Sequence, residues 1–255
     1  MTQEPPDEYN DELVGFLQLL WGEGFLAPGG VSSVHRTVAG VDLEGKKVLD
    51  IGCGVGGAAI TLSRLGARMT GLDVETGLIE RAKMLGERAG QEIEFLCVTP
   101  GPLPFEDGSF DHVFTHAAII HVADKAALFS EIFRVLRPGG RLLGYDWLGG
   151  TEPFSDDMFR WLELEELTYS LDHLASYLAT IEGAGFVEVS GEDDNENYRQ
   201  VAIAEHARLA GEHFETMTEM LGPERRDHFI EDWRMLTVVL SNGELRPTYF
   251  RGRRP

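Results

Sequence analysis

Val48-Leu49-Asp50-Ile51-Gly52-Cys53-Gly54-Val55-Gly56-Gly57 decides the reading of this 255-residue chain. The apolar run Lys46–Ile51 fits a short strand buried on both faces, as in a parallel sheet. The glycines after it let the backbone turn sharply and let a ligand approach the N–H groups without Cβ interference. Gly52, Gly54 and Gly57 satisfy G-x-G-x-x-G, and Asp73 follows about 20 residues on, as in a dinucleotide-binding unit. Asp50 stands two residues before the first glycine and turns a carboxylate into the loop. A pyrophosphate would be repelled there, whereas an ammonium or sulfonium would be favoured. A nicotinamide-dependent dehydrogenase is the rival reading.

Outward from this loop, strands and helices alternate. Helices are predicted over Ala58–Leu65, Thr76–Ala89 and Asp124–Leu136, with strands at Met69–Leu72, Ile93–Leu96, Asp111–Thr115 and Arg141–Trp147. Such alternation implies a mostly parallel sheet covered by helices on both faces. Upstream, Leu13, Phe16, Leu17, Leu20 and Trp21 recur at helical spacing after Asn10, a good N-cap, and a short helix is expected from Ser32 to Ala39. Beyond Thr151, helices are expected at Ser155–Tyr169 and Leu171–Gly183, with a strand at Phe186–Ser190. Two or three helices over 198–240 should cover one end of the sheet, before a last strand at Leu245–Arg251. One domain is expected: residues 1–40 as a lid, 41–150 as the cofactor-binding core, and 151–255 on the acceptor side.

Composition narrows the function classes. The chain has 43 Asp and Glu against 22 Lys and Arg, a net charge of −21. That field repels phosphate backbones and anionic headgroups, so nucleic-acid and membrane partners are not expected. No apolar run approaches the ~18 residues of a membrane span. The start, MTQEPPDEYNDE, lacks a secretory pattern, and two cysteines suggest no disulfide framework. The expected location is the cytoplasm. No metal site is read from the sequence.

Further blocks favour the sulfonium reading. Thr70-Gly71-Leu72-Asp73-Val74 ends the second strand. Leu103-Pro104-Phe105-Glu106-Asp107-Gly108-Ser109-Phe110-Asp111 leads into the fourth, and Leu136-Arg137-Pro138-Gly139-Gly140 into the fifth. With the glycine loop, in this order, they resemble the class I S-adenosylmethionine-dependent methyltransferases of small molecules over residues 45–147. The resemblance implies a Rossmann-like, mostly parallel seven-stranded sheet, with N-terminal lid helices and a helical insertion near the C-terminus. It implies S-adenosyl-L-methionine as cofactor, its methionine end held by Asp50, Gly52, Cys53 and Gly54. Asp73 would bind the ribose, Val74 would lie against the adenine, and His116 would stand on the cofactor side as a reserve base. Where that family often has Gly-Asp-Ala, this chain has Val98-Thr99-Pro100, which leaves Thr99 to meet the adenine edge.

A narrower resemblance reaches the N-terminus. Glu8-Tyr9-Asn10-Asp11, Trp21-Gly22-Glu23-Gly24-Phe25, Pro28-Gly29-Gly30 and Ala118-Ile119-Ile120-His121 resemble the phosphoethanolamine (phosphobase) and related amine methyltransferases. The resemblance implies that Tyr9 and His121 form a catalytic pair. The family's phosphate-binding Arg, Tyr and Lys do not carry over. Between Trp161 and Leu171 stand Glu163, Glu165, Glu166 and Tyr169, which would repel a phosphorylated acceptor unless those glutamates form only a solvated helix face. The family's acidic residue before the histidine is also replaced, by Ala117 and Ala118. The expected reaction is methylation of a small metabolite, with an amine nitrogen as the favoured acceptor. Methylation at oxygen, sulfur or carbon stays open, as does cofactor binding without turnover.

Overall fold

The computed structural model describes residues 9–150 and 152–255. Seven strands form one sheet: β1 (Lys47–Ile51), β2 (Arg68–Asp73), β3 (Glu94–Cys97), β4 (Phe110–His116), β5 (Leu136–Gly149), β6 (Val187–Asp193) and β7 (Leu245–Arg253). Their order is β3-β2-β1-β4-β5-β7-β6. β7 alone runs against its neighbours, inserted antiparallel between β5 and β6. This is the mostly parallel sheet expected from the alternating pattern.

Two layers cover the sheet. On one face α2 (Gly30–Thr37), α3 (Gly57–Arg64) and α4 (Thr76–Arg88) bury Val34, Leu62, Ile79 and Ala82 against Val48, Met69 and Phe114. On the other, α5 (Lys125–Val135) and α7 (Leu174–Gly183) bury Phe129, Ile132, Tyr177 and Ile181 against Val113, Leu142 and Phe250. A third cluster joins α1 (Asp11–Trp21), α6 (Asp156–Glu165), α8 (Asn195–Leu209) and α9 (Phe214–Ser241) over the carboxyl end of β5. Phe16 stacks on Phe229 at 3.9 Å there, so the N-terminal helix is packed onto the C-terminal one. No helix among the described residues is long and apolar enough to cross a membrane, and none of their acidic, His and Cys groups forms a metal-binding cluster.

Several boundaries differ from the sequence reading, for local reasons. The helix expected over Ser155–Tyr169 stops at Glu165, because Glu166 turns left-handed (φ 55°). Residues 166–173 are thereby released as a loop, and the next helix begins at Leu174 rather than Leu171. α2 begins at Gly30, two residues early, and ends at Thr37. The long run expected over 198–240 is α8 and α9, and α9 breaks at Gly222 (φ 79°) before Pro223. β5 begins at Leu136, which pairs with Phe110, so Arg137-Pro138-Gly139-Gly140 lies inside the strand.

Candidate active site

The glycine loop follows β1 directly. Gly52 takes φ 71°, and a Cβ there would sit 2.2 Å from the Ala118 Cβ, so only glycine lets the two loops meet. The Gly54 N–H donates to Asp73 Oδ2 (2.8 Å), and the Glu75 N–H donates to Asp73 Oδ1 (3.1 Å). Asp73 therefore clasps the loop from the end of β2. Asp50 lies beneath it, 1% exposed, with Oδ2 unpartnered. Burial, and then repulsion from Asp73, push the Asp50 carboxyl up to about 8. Burial also raises Asp73, against the pull of its backbone donors and of nearby His121. Two confined carboxyls beside a ring of glycines favour a ligand with cationic groups and a backbone-hugging shape.

The N-terminal segment is seated on this loop. The Gly57 N–H donates to the Gly24 carbonyl (2.9 Å), and a Cβ on Gly57 would lie 2.3 Å from that oxygen. The Tyr9 N–H reaches both oxygens of the Glu75 carboxylate, at 3.3 and 3.4 Å. Ion pairs Asp11–Arg81 and Glu23–Arg88 add to the attachment along α4. Of the motif around Tyr9, Glu8 lies outside the described residues.

His121 closes a single 3-10 turn, Ile119–His121, entered through Ala117 at φ 52°. Its Nδ1 lies 2.9 Å from the Thr168 carbonyl. A carbonyl only accepts, so Nδ1 carries the proton and Nε2 of the neutral ring keeps its lone pair. Nε2 faces the Tyr9 hydroxyl at 3.3 Å, which then donates. Buried Lys125 ties the two flanks of this arrangement together, donating to the Val122 carbonyl (3.0 Å) and the Ser170 carbonyl (2.6 Å). The Ser170 N–H donates to the Ile120 carbonyl (2.7 Å), so the loop behind Tyr169 is fixed to the His121 turn.

Tyr9 and His121 open onto a cavity of about 40 Å3, walled by Trp21, Trp147, Tyr169, Phe229 and Trp233. Glu165 and Asp232 also line it. The Tyr169 hydroxyl donates to Glu165 Oε2 (2.6 Å), the Trp161 indole also bears on the Glu165 carboxyl, and Asp232 Oδ1 is buried without a partner. Burial raises both carboxyls, and for Asp232 the charge of Glu165 adds to it.

The structure thus brings together Tyr9, His121, Asp50, Gly52, Gly54 and Asp73 around adjoining loops. Val74 is 56% exposed beside Asp73, and Thr99 is exposed after β3. Cys53 points its thiol into the core against Gly71, so it can offer a ligand only backbone. His116 does not join them. It shares the α2 face with Phe114, shares a hydrogen bond with Ser33 Oγ (2.6 Å) and stacks on Tyr145. Burial drives its pKa down to about 3, so it stays neutral inside the core. The glutamates divide: Glu163 and Glu166 are exposed and paired with Arg160 and Arg225, and Glu165 faces inward. Asp232 was missed by the sequence reading. Its signal is a carboxylate within the apolar stripe Phe229, Trp233, Leu236, Val239 and Leu240.

Comparison with known proteins fits this geometry. Residues 49–144 match the methyltransferase domain family. A phosphoethanolamine N-methyltransferase of Triticum aestivum is 28% identical over 91% of this chain and 46% of its own. A sterol 24-C-methyltransferase of Gibberella zeae is 36% identical over 58% of this chain and 39% of its own. The chain spans about half the length of the curated relatives it matches. Among solved structures, Haemonchus contortus phosphoethanolamine N-methyltransferase 2, bound to phosphomonomethylethanolamine and S-adenosylhomocysteine, superposes with a TM-score of 0.90. It is 23% identical, covering 98% of this chain and 59% of that one. A putative sarcosine dimethylglycine methyltransferase from Galdieria sulphuraria reaches 0.81 at 21% identity, covering 96% and 97%. The fold is that of the class I methyltransferases.

Proposed function

We propose that this protein transfers the methyl group of S-adenosylmethionine to a nitrogen of a small amine in the cytoplasm. The observation that carries this reading is the Tyr9–His121 hydrogen bond (3.3 Å), set beside a loop whose glycines and carboxyls suit that cofactor. Asp50, Gly52, Gly54 and the backbone of Cys53 hold the methionine end, where the unpartnered Asp50 oxygen answers a cationic group. Asp73 binds the ribose hydroxyls, Val74 lies against the adenine, and Thr99 meets its edge. Residues 9–40 act as the lid, and the acidic surface disfavours nucleic acid.

When bound, S-adenosylmethionine supplies an electrophilic methyl group, whose S–C bond breaks as the new N–C bond forms and whose electron pair leaves with the thioether. The chain aligns the acceptor, excludes water and removes one proton. That proton passes from the acceptor nitrogen to the Tyr9 oxygen as the Tyr9 proton moves to His121 Nε2. The bond from Nδ1 to Thr168 fixes the tautomer that can accept it and steadies the imidazolium that results.

Calorimetry with S-adenosylhomocysteine, followed by methyl transfer to an amine panel, tests the reading. Binding in the micromolar range is expected, about −8 kcal/mol. Asp73→Ala should weaken it by roughly 1–3 kcal/mol through lost buried hydrogen bonds. Equal binding by variant and wild type, or preference for a nicotinamide cofactor, overturns the site. Binding without turnover on any acceptor overturns the reaction.

A further inference from the structure

We propose that the acceptor carries a second positive charge, and that Glu165 and Asp232 hold this non-reacting ammonium within the aromatic cavity. The inference rests on the methyl-transfer reading above and adds the substrate class, a short aliphatic diamine or an amine bearing another cationic group.

A buried, unpartnered carboxylate oxygen carries it. Asp232 is 3% exposed and its Oδ1 is buried at the cavity without a hydrogen-bond donor, beside Glu165, whose carboxyl is met only by the neutral donors of Tyr169 and Trp161. The two carboxyls come from different helices, α9 and α6, so no single acidic run explains their meeting. No Lys or Arg among the described residues lines the cavity. The charge of Arg225 reaches Asp232, but its guanidinium turns outward to Glu166 (2.6 Å) and stacks on the Phe229 ring. Two neighbouring carboxyls confined in an apolar setting, one with an oxygen that has no donor, destabilise the protein, and a cation relieves that cost. The walls suit the same ligand, because four aromatic side chains, Trp147, Tyr169, Phe229 and Trp233, line the cavity, and aromatic rings attract cations. A phosphate would meet two acids and neither Lys nor Arg among the described lining residues.

The carboxyls are not placed for the reacting nitrogen. An ammonium held by carboxylates keeps its proton, whereas attack on a sulfonium methyl needs a free lone pair. The proton acceptor lies elsewhere, at Tyr9 and His121, with Tyr169 between: its ring is 5.3 Å from the His121 ring, and its hydroxyl reaches Glu165. Two positions for nitrogen follow, one deprotonated at His121 and one left charged beyond Tyr169.

The test is ligand binding to the full chain with S-adenosylhomocysteine present, at pH 8. All four tryptophans lie in or beside the aromatic cluster around the cavity, so their fluorescence, with calorimetry, reports occupancy without turnover. The probes are 1,3-diaminopropane and its two higher homologues, 3-aminopropanol and 3-aminopropyl phosphate. A diamine is expected to bind at least tenfold tighter than the amino alcohol, and the phosphate not at all. Asp232→Asn should remove that preference, leave S-adenosylhomocysteine affinity unchanged and raise Tm. Glu165→Gln should do the same, and the wild-type comparison stands if either variant fails to fold. Equal or tighter binding of the amino alcohol or phosphate overturns the proposal. So does an intact preference in both variants with lowered Tm, the signature of a carboxyl pair that only supports the fold. A diamine that binds but is never methylated keeps the cation site and sinks the transfer reading. Methylation of amines whatever their tail sinks the cation site alone.

Discussion

The glycine loop and the aromatic cavity are built on opposite principles. The loop takes its shape from residues close in sequence, Asp50 to Gly57, closed by Asp73, and most of its groups are backbone. The cavity is assembled from side chains at 9, 121, 165–169 and 232, carried by the segment before α1, the 3-10 turn, the end of α6 with the loop after it, and α9. A loop made of backbone must be glycine-rich and tolerates almost no change, whereas a cavity made of side chains can be refitted without disturbing the sheet. Under the function proposed above, the difference matches a division of labour between a fixed cofactor and a variable acceptor. In this protein the variable half holds two buried carboxyls and an imidazole.

The largest effect expected is on the cavity side and purely kinetic. His121→Ala should lower kcat by about 10²–10⁴-fold, the usual contribution of a general base. S-adenosylhomocysteine affinity should stay within about twofold, since the loop does not depend on the imidazole. Tyr9→Phe removes the hydroxyl that relays the proton and should cost a comparable factor, and the double variant should be little worse than His121→Ala if the pair acts as a unit. Single-turnover rates and calorimetry on the same preparations check this. Retention of most activity by His121→Ala would move proton removal to water or another group.

Gly52→Ala, on the loop side, should instead damage fold and cofactor site together. It forces alanine to φ 71° and drives a Cβ into Ala118. Left-handed strain and overpacking together should cost about 2–4 kcal/mol, a Tm loss of several degrees for a chain of this size. An unchanged melting curve would show that the Ala118 loop yields freely, and the contrast between the two regions would then fail.

The same division explains what could be read in advance. The strands and helices from β1 to α5 follow local signals, such as apolar runs, glycine stops and the Asp124 cap, which accepts from the Ala127 N–H at 2.9 Å. Their ends fall within a residue or two of expectation. Asp50, Gly52, Gly54 and Asp73 were legible because their spacing along the chain is their geometry. Tyr9 and His121 meet across 112 residues, and only family resemblance could pair them. His116 was misplaced for want of strand alternation: His112, Phe114 and His116 share the α2 face, whereas Ala117 reaches the cavity. Glu165 differs from Glu163 and Glu166 by its angle on α6, one turn after buried Trp161, a distinction helical periodicity contains. That Asp232 would face it required knowing how α6 packs on α9.

The smallest expected effect isolates one carboxyl of the loop. Asp50 has its folded pKa raised to about 8 from the ordinary 3.8. The folded protein therefore keeps a proton that the unfolded chain has released. For a raised acid, the associated stability is full below the unfolded pKa and is lost as pH rises through the folded value. Between pH 7 and 8, wild type should lose about 1 kcal/mol relative to Asp50→Asn, which has nothing to ionise. Tm should register this as a gap of about 2–4 °C that opens with pH. Saturating S-adenosylmethionine should close the gap, because a cation beside the carboxyl favours its charged form in the fold. Parallel pH curves for the two proteins without ligand would remove the buried-acid account. A gap that persists with ligand bound would show that Asp50 does not meet the cofactor, leaving Asp73 as the only carboxylate of the loop that does.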